Sequence, residues 1–192
     1  ILSPADGRPI TAPTQDMVLG LYHLTTLVAS PAEADGGQPK AFSSAAEAIM
    51  AYDKGALGLQ ERALIRLDEV FGVDNGSMND PWEQPEDWTP GTPAAVVTSL
   101  GRVLFNAALP EDYRFVNYQV PKKELGAIVN DLAERYPKVQ VAATLDALKA
   151  AGFHWATRAG ITIAIDDVVT PPAKAEILER HEAEALKIEK QY

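Results

Sequence analysis

The 192-residue sequence contains no cysteine, which excludes disulfides and thiolate metal sites. Histidine is scarce as well. His23, His154 and His181 are the three present, and no two stand at the spacing that lets a helix offer a histidine pair to a metal. His23 falls on an apolar helical stretch and reads as a hydrogen-bonded packing residue. No apolar run reaches membrane length, and no stretch has a signal-peptide pattern. Basic residues are few, 17 Lys and Arg against 27 Asp and Glu, for a net charge of −10. Surfaces that grip phosphate backbones are basic, so this chain alone is expected to hold DNA or RNA poorly. There is no glycine-rich phosphate loop, no nucleophile elbow and no serine in a triad setting.

Phosphoryl transfer by metal ions needs clustered carboxylates. The one adjacent pair within a motif is Asp166-Asp167. On the strand expected there, neighbours point to opposite faces, so the pair reads as a cap for the following turn. Asp74-Asn75-Gly76-Ser77 lacks the glycine and closing glutamate of a calcium loop at their required places. No catalytic residue and no metal site are therefore expected.

Hydrophobic residues make up 46% of the chain and charged residues 23%, which is ordinary for a globular protein with a real core. The first stretch sets the organisation. Ser3-Pro4-Ala5-Asp6-Gly7 predicts a reverse turn, and Pro9 and Pro13 hold an extended segment. Thr14 is the expected N-cap of a helix whose apolar face carries Met17, Leu21 and Leu24. Val28–Lys40 reads as a polar loop. Ser43-Ser44-Ala45-Ala46-Glu47 is a capping box opening a helix over Ala45–Tyr52. Leu57 to Leu67 alternate as a strand. Phe71–Pro93 reads as loop or hairpin, with Trp82 and Trp88 as anchors onto their own domain. Ala95–Ser99 reads as a strand, Leu100–Ala108 as a helix and Arg114–Asn117 as an extended piece. Pro121 starts a helix running through Lys122–Tyr136 with Leu125, Ile128, Val129 and Leu132 inward.

Val139–Val141 is short and apolar, and Thr144–Ala151 predicts a helix capped by Thr144 and stopped by Gly152. Ile161, Ile163 and Ile165 alternate as a half-buried strand. Pro171-Pro172 launches a long helix with Leu178, His181, Ala185, Ile188 and Tyr192 at heptad positions and Glu179, Glu182, Glu184 and Lys187 outside, the pattern of a coiled-coil strand or, with barely three heptads, of an ordinary amphipathic helix. The fold class these segments predict is α+β, with short helices packed on small antiparallel sheets and a projecting C-terminal helix; that this helix is half of a coiled-coil hairpin is what the resemblance given next implies.

The motif ILSPADGRPI…TQDMVLGLYHLT resembles the segment that follows the metal-binding loop in the beta-prime subunit of bacterial, actinobacterial-like DNA-directed RNA polymerase. The resemblance resumes in Ser43–Gly55, Leu100–Pro110, Lys122–Tyr136 and Gly152–Gln191. It implies a fragment of a nucleotidyltransferase, covering its pore and funnel: a pore-like region 1–118, a funnel-like region 119–171 and the first arm of a channel-rim coiled coil 172–192. The opening on a motif at Ile1 and the close inside a helix at Tyr192 fit a chain cut from a longer one.

The catalytic aspartates and their magnesium (Mg2+), and the enzyme's zinc (Zn2+), would lie outside this segment, so the fragment alone is expected to be inactive and to need no cofactor. Gln15 resembles the family's glutamine at the substrate-entry pore, with Asp16 beside it; the bland alternative is that both only complete the helix start. Arg158 either touches a phosphate or braces Asp166 or Asp167, and bracing is preferred. Asp146 matches the family's channel-rim acid near the docking place of a nucleotide alarmone and secondary-channel factors, but Ala150 stands where some members carry tyrosine.

Glu179 and Glu182 would receive transcript-cleavage factors. The partners implied are the alpha, beta, omega and sigma subunits and nucleoside triphosphates, with DNA and RNA met through the whole enzyme only. The implied location is cytoplasmic and nucleoid-associated, with no membrane. The other reading kept open is a stand-alone protein-docking module without a nucleotide role. A free-standing hydrolase has no motif behind it.

Overall fold

The computed structural model describes residues 3, 5, 9–34, 36–76, 84–161 and 165–190. In chain order the elements are α1 (Asp16–Thr25), a helical turn α2 (Pro31–Ala34), β1 (Lys40–Phe42), α3 (Ala45–Asp53), β2 (Arg62–Val70), β3 (Val73–Asp74), β4 (Thr92–Ser99), α4 (Leu100–Asn106), β5 (Phe115–Val116), α5 (Lys122–Arg135), α6 (Lys138–Ala159), a 3-10 turn Ile165–Asp167 and α7 (Lys174–Glu189). The chain divides into two compact units, Ile1–Ile161 and Thr162–Tyr192.

The first unit is α+β, as the patterning predicts. β1 runs parallel to β2, and α3 is the crossover that parallel neighbours require. β2 and β4 form the antiparallel ladder, with an irregularity between Leu67 and Val70. β3 and β5 pair in parallel as a second, two-stranded sheet. The Phe71–Pro93 segment thus holds a strand that its composition hides, because two residues carry no period. Trp88 packs against the apolar cluster of the main sheet; Trp82 lies outside the described residues.

Two apolar clusters fill this unit. One joins α1, α4, α5 and α6 through Leu21, Leu24, Phe105, Leu125, Ile128, Leu132 and Leu148. The other lies on the sheet under α3 and includes Ala48, Ile65, Val96 and Leu100. Helix α4 belongs to both: Leu100 faces the sheet cluster and Phe105 the helical one. The side chain of Arg102, on the same helix, is 1% exposed. Its Nε donates to the Thr25 carbonyl at 3.0 Å, and one terminal nitrogen donates to the carbonyl and side-chain oxygen of Asn117 at 2.8 and 3.1 Å. Burial lowers its pKa to about 10, so it stays charged at neutral pH. A buried carbonyl left unpaired costs on the order of 1–3 kcal/mol, so this one guanidinium ties the end of α1 to the segment after β5.

Other expectations change as well. The strand read from Leu57 begins at Arg62, and the loop read over Val28–Lys40 holds the helical turn α2. The separate pieces at Val139–Val141 and Thr144–Ala151 are one 22-residue helix, α6, which passes through Thr144 and Gly152 and ends at Gly160 with φ 63°. At Gly152 the helix passes close against the Met17 backbone of α1, with no room for a Cβ. The expected strand through Ile161, Ile163 and Ile165 is not observed at Ile165, which is exposed and opens the 3-10 turn containing Asp166 and Asp167; residues 162–164 lie outside the described set. Thr14 is not the cap of α1. Gln15 takes that place, with no side-chain capping bond.

The capping box does form, with a shift. Ser44 Oγ accepts from the Glu47 amide at 3.2 Å, but Glu47 reaches back to the amide and hydroxyl of Ser43 rather than Ser44. His23 is a hydrogen-bonded packing residue as read: its Nδ1 lies 3.1 Å from Gln60 Nε2, which also donates to its carbonyl. In the second unit, every residue of α7 is exposed.

Glu61 links three segments. Its carboxylate accepts from the Gly58 amide at 2.9 Å, the Lys40 ammonium at 3.1 Å and the Ser30 hydroxyl at 3.2 Å. Burial pushes this carboxyl up, but the Gly58 amide, Lys40 and Ser30 together outweigh it and the net direction is below 4.5. A lowered folded value means that the stabilisation is full above 4.5 and is lost as pH falls through that lower value. In E61Q the denaturant midpoint should therefore lose part of its decline toward acid pH; an unchanged acid slope would show that Glu61 carries no such linkage.

Candidate functional site

Gln15 and Asp16 stand at the start of α1, both exposed. The backbone at Gln15 has φ 52° and ψ −124°, the one positive φ outside glycine among the described residues. A side chain in that region costs on the order of 1–3 kcal/mol and persists where the surroundings over-determine it. Pro13 is buried just before it. The first turn of α1 closes back on this point: the Met17 amide donates to the Thr14 carbonyl at 3.2 Å and the Leu19 amide to the Gln15 carbonyl at 3.1 Å. The segment before the helix is thus turned sharply at Gln15, whose side chain is exposed and makes no capping hydrogen bond.

Behind this corner lies an open groove of about 820 Å³. Pro9, Pro13 and Met17 form one side, and Tyr136, Leu145 and Asp146 belong to the other. The surface is mainly apolar. Burial and then the hydrogen-bonded Asp112 push the Tyr136 hydroxyl up to about 12, so it stays protonated and its proton is engaged by Asp112. Asp146 is exposed at this groove and paired with Lys149 at 2.6 Å. A smaller recess of about 560 Å³ has Arg102, Gln119 and Glu124 in its wall.

The structure brings some predicted residues together and separates others. Asp146 and Met17 share the groove, so Asp146 lies near the start of α1. Arg158 is on α6 with Asp146, twelve residues on, which is about 18 Å along a helix axis. These two cannot serve one small ligand. The Arg158 guanidinium lies 5.7 Å from the Trp155 ring centre, one turn back. Glu179 and Glu182 lie on α7 in the second unit, both exposed. Among the described residues, no group of three or more His, Asp or Glu gathers where it could hold a metal ion. Asp74 is engaged elsewhere: it accepts from the Gly76 amide at 2.9 Å and pairs with Arg114 at 3.1 Å.

The sequence profile of RNA polymerase Rpb1, domain 3, matches residues 1–168. The chain belongs to that family. Its relatives include the DNA-directed RNA polymerase beta' subunits of Acidothermus cellulolyticus and Salinispora tropica, 58% and 59% identical over all 192 residues of this chain. The corresponding subunit of Thermobifida fusca is 54% identical, again over the whole chain. In each case the chain spans 14% of the relative's length. The resemblance read from the opening motif is therefore a family relationship extending from end to end. Within this Rpb1 domain, sequence reading passed over Arg102 and Gly20 and took Gly152 for a helix stop. Their roles depend on which helices meet, and no local pattern signals that.

The strain at Gln15 has a measurable consequence. Glycine adopts this conformation freely but adds entropy to the unfolded chain. Q15G should raise the unfolding free energy by about 1 kcal/mol in a denaturant titration with unchanged m-value. A loss of stability would mean that the glutamine side chain contributes more than its backbone costs.

Proposed function

We propose that this chain is the part of a DNA-directed RNA polymerase beta-prime subunit that lines the passage by which nucleoside triphosphates reach the reaction centre. The observation that carries this reading is the family match over residues 1–168 together with beta' subunits matched along the whole chain. On this reading, residues 1–118 belong to the pore, 119–171 to the funnel and 172–192 to the first arm of the rim. Gln15 supplies a neutral amide that can donate to a triphosphate or accept from a sugar hydroxyl, and its strained corner holds that amide outward. Asp16 lies beside it, and Arg158 offers a cation farther along the wall.

The nucleotidyl transfer itself belongs to carboxylates and magnesium outside this segment, and zinc would also be bound elsewhere in the subunit. This chain's own residues bind and orient. An acidic chain of net charge −10 contributes little grip on nucleic acid, which agrees with DNA and RNA being held by the rest of a complex with the alpha, beta, omega and sigma subunits. Such an enzyme works in the cytoplasm, on the nucleoid.

A second role concerns α7. It exposes Leu178 and Ile188 at 51% and 59% beside Glu179 and Glu182, a surface suited to a basic, partly apolar partner such as a transcript-cleavage factor entering the channel. Asp146, in the first unit, is a separate exposed acid that this reading also assigns to regulators.

In the assembled polymerase, Q15A should raise KM for nucleoside triphosphates several-fold with kcat little changed, the signature of lost uniform binding; an unchanged KM would remove Gln15 from the channel wall. Reversing the charge of α7 with E179K and E182K should weaken binding of the cleavage factor to the polymerase, measured by titration. Equal affinity would argue against α7 as its docking surface.

A further inference from the structure

Helix α1 meets α6 through backbone rather than through side chains. A Cβ placed on Gly152 would stand 2.6 Å from the Met17 carbonyl oxygen and 2.8 Å from the Met17 Cα. A Cβ on Gly20 would overlap the Gly152 carbonyl and stand 2.8 Å from the Ala156 amide nitrogen. None of these is the movable tip of a side chain. An added methyl group must push one helix off the other.

The position of this contact matters. Gly152 touches α1 in its first turn, two residues beyond Gln15. The other end of α1 is held separately. The Thr25 carbonyl accepts from Arg102, and the Thr25 hydroxyl accepts from the Val120 amide at 2.9 Å. Gly101 also lets Leu24 approach closely. A push at Gly152 therefore tilts the N-terminal end of α1, which rests on α6. That end carries the Gln15 corner, whose strained backbone survives only while both flanks are held.

We propose that Gly152 is a positioning residue for Gln15: the side-chain-free approach of α6 to Met17 sets where the Gln15 amide stands in the substrate passage. This rests on the reading of Gln15 as a channel residue. A displacement of the order of 1 Å is enough to spoil such a placement.

The test uses polymerase assembled with the full subunit carrying G152A, Q15A, both changes, or V96A as a control. Val96 lies in the sheet cluster, away from α1. KM and kcat for nucleoside triphosphates are measured alongside the melting temperature. G152A should raise KM about threefold to tenfold with kcat nearly unchanged, and the double variant should be no worse than the single ones. V96A should lower the melting temperature without moving KM.

If Q15A raises KM and G152A leaves it at the wild-type value, the positioning role is overturned while the channel reading stands. Multiplying effects in the double variant would overturn it as well. If Q15A itself has no effect, the channel reading fails first and takes this proposal with it. Should G152A not assemble, A156G slackens the same crossing without adding an atom. A raised KM is then expected, and an unchanged KM counts against the proposal.

Discussion

The close backbone approach of α1 to α6 is the constraint on which the first unit depends. Most helix pairs are spaced by side chains, which can change rotamer and absorb an error. Here Gly20 and Gly152 remove the spacers, so the helices meet main chain to main chain. The depth of that contact brings Leu21, Leu24 and Leu148 into one cluster. It also makes the start of α1 a fixed point on the surface, where the chain turns through the strained residue Gln15. Strain of that kind is tolerated only on a rigid base.

The two clusters of the unit are joined by a polar tie as well as an apolar one. α4 presents Leu100 to the sheet and Phe105 to the helices, while Arg102 between them donates to main-chain and side-chain oxygens. Asn106 continues the network, donating to the Arg102 and Val116 carbonyls and accepting from the Val116 amide. A charged group in such a place contributes less net stability than its hydrogen bonds suggest, because burial costs it hydration. Its effect is to specify which loop ends lie beside which helix.

The residues singled out from the sequence are not part of this scaffold. In the first unit Gln15, Asp16, Asp146 and Arg158 are exposed, so neither the clusters nor their polar ties need these side chains. In the second unit Glu179 and Glu182 are exposed as well. Under the proposed channel role, the scaffold would set the position of a wall and these groups would face what moves past it.

Much was legible in the residues themselves. Helix faces such as Leu125, Ile128, Val129 and Leu132 repeat at the helical period and are buried as expected. The opening motif and its later continuations carried the family, because long runs of particular residues are specific even where their structural reasons are hidden. What local pattern could not decide were features made by distant contacts. Gly152 resembles a helix stop in its own neighbourhood, and only the proximity of Met17 shows why a helix passes through it. β3 is two residues long and exists because β5 lies beside it. Arg102 looks like a surface cation until α1 and the segment after β5 close over it. Periodicity and capping are written along the chain because each residue acts on neighbours within a turn. Close approach, short-strand pairing and buried charge belong to tertiary structure, because their partners lie tens to more than a hundred residues away.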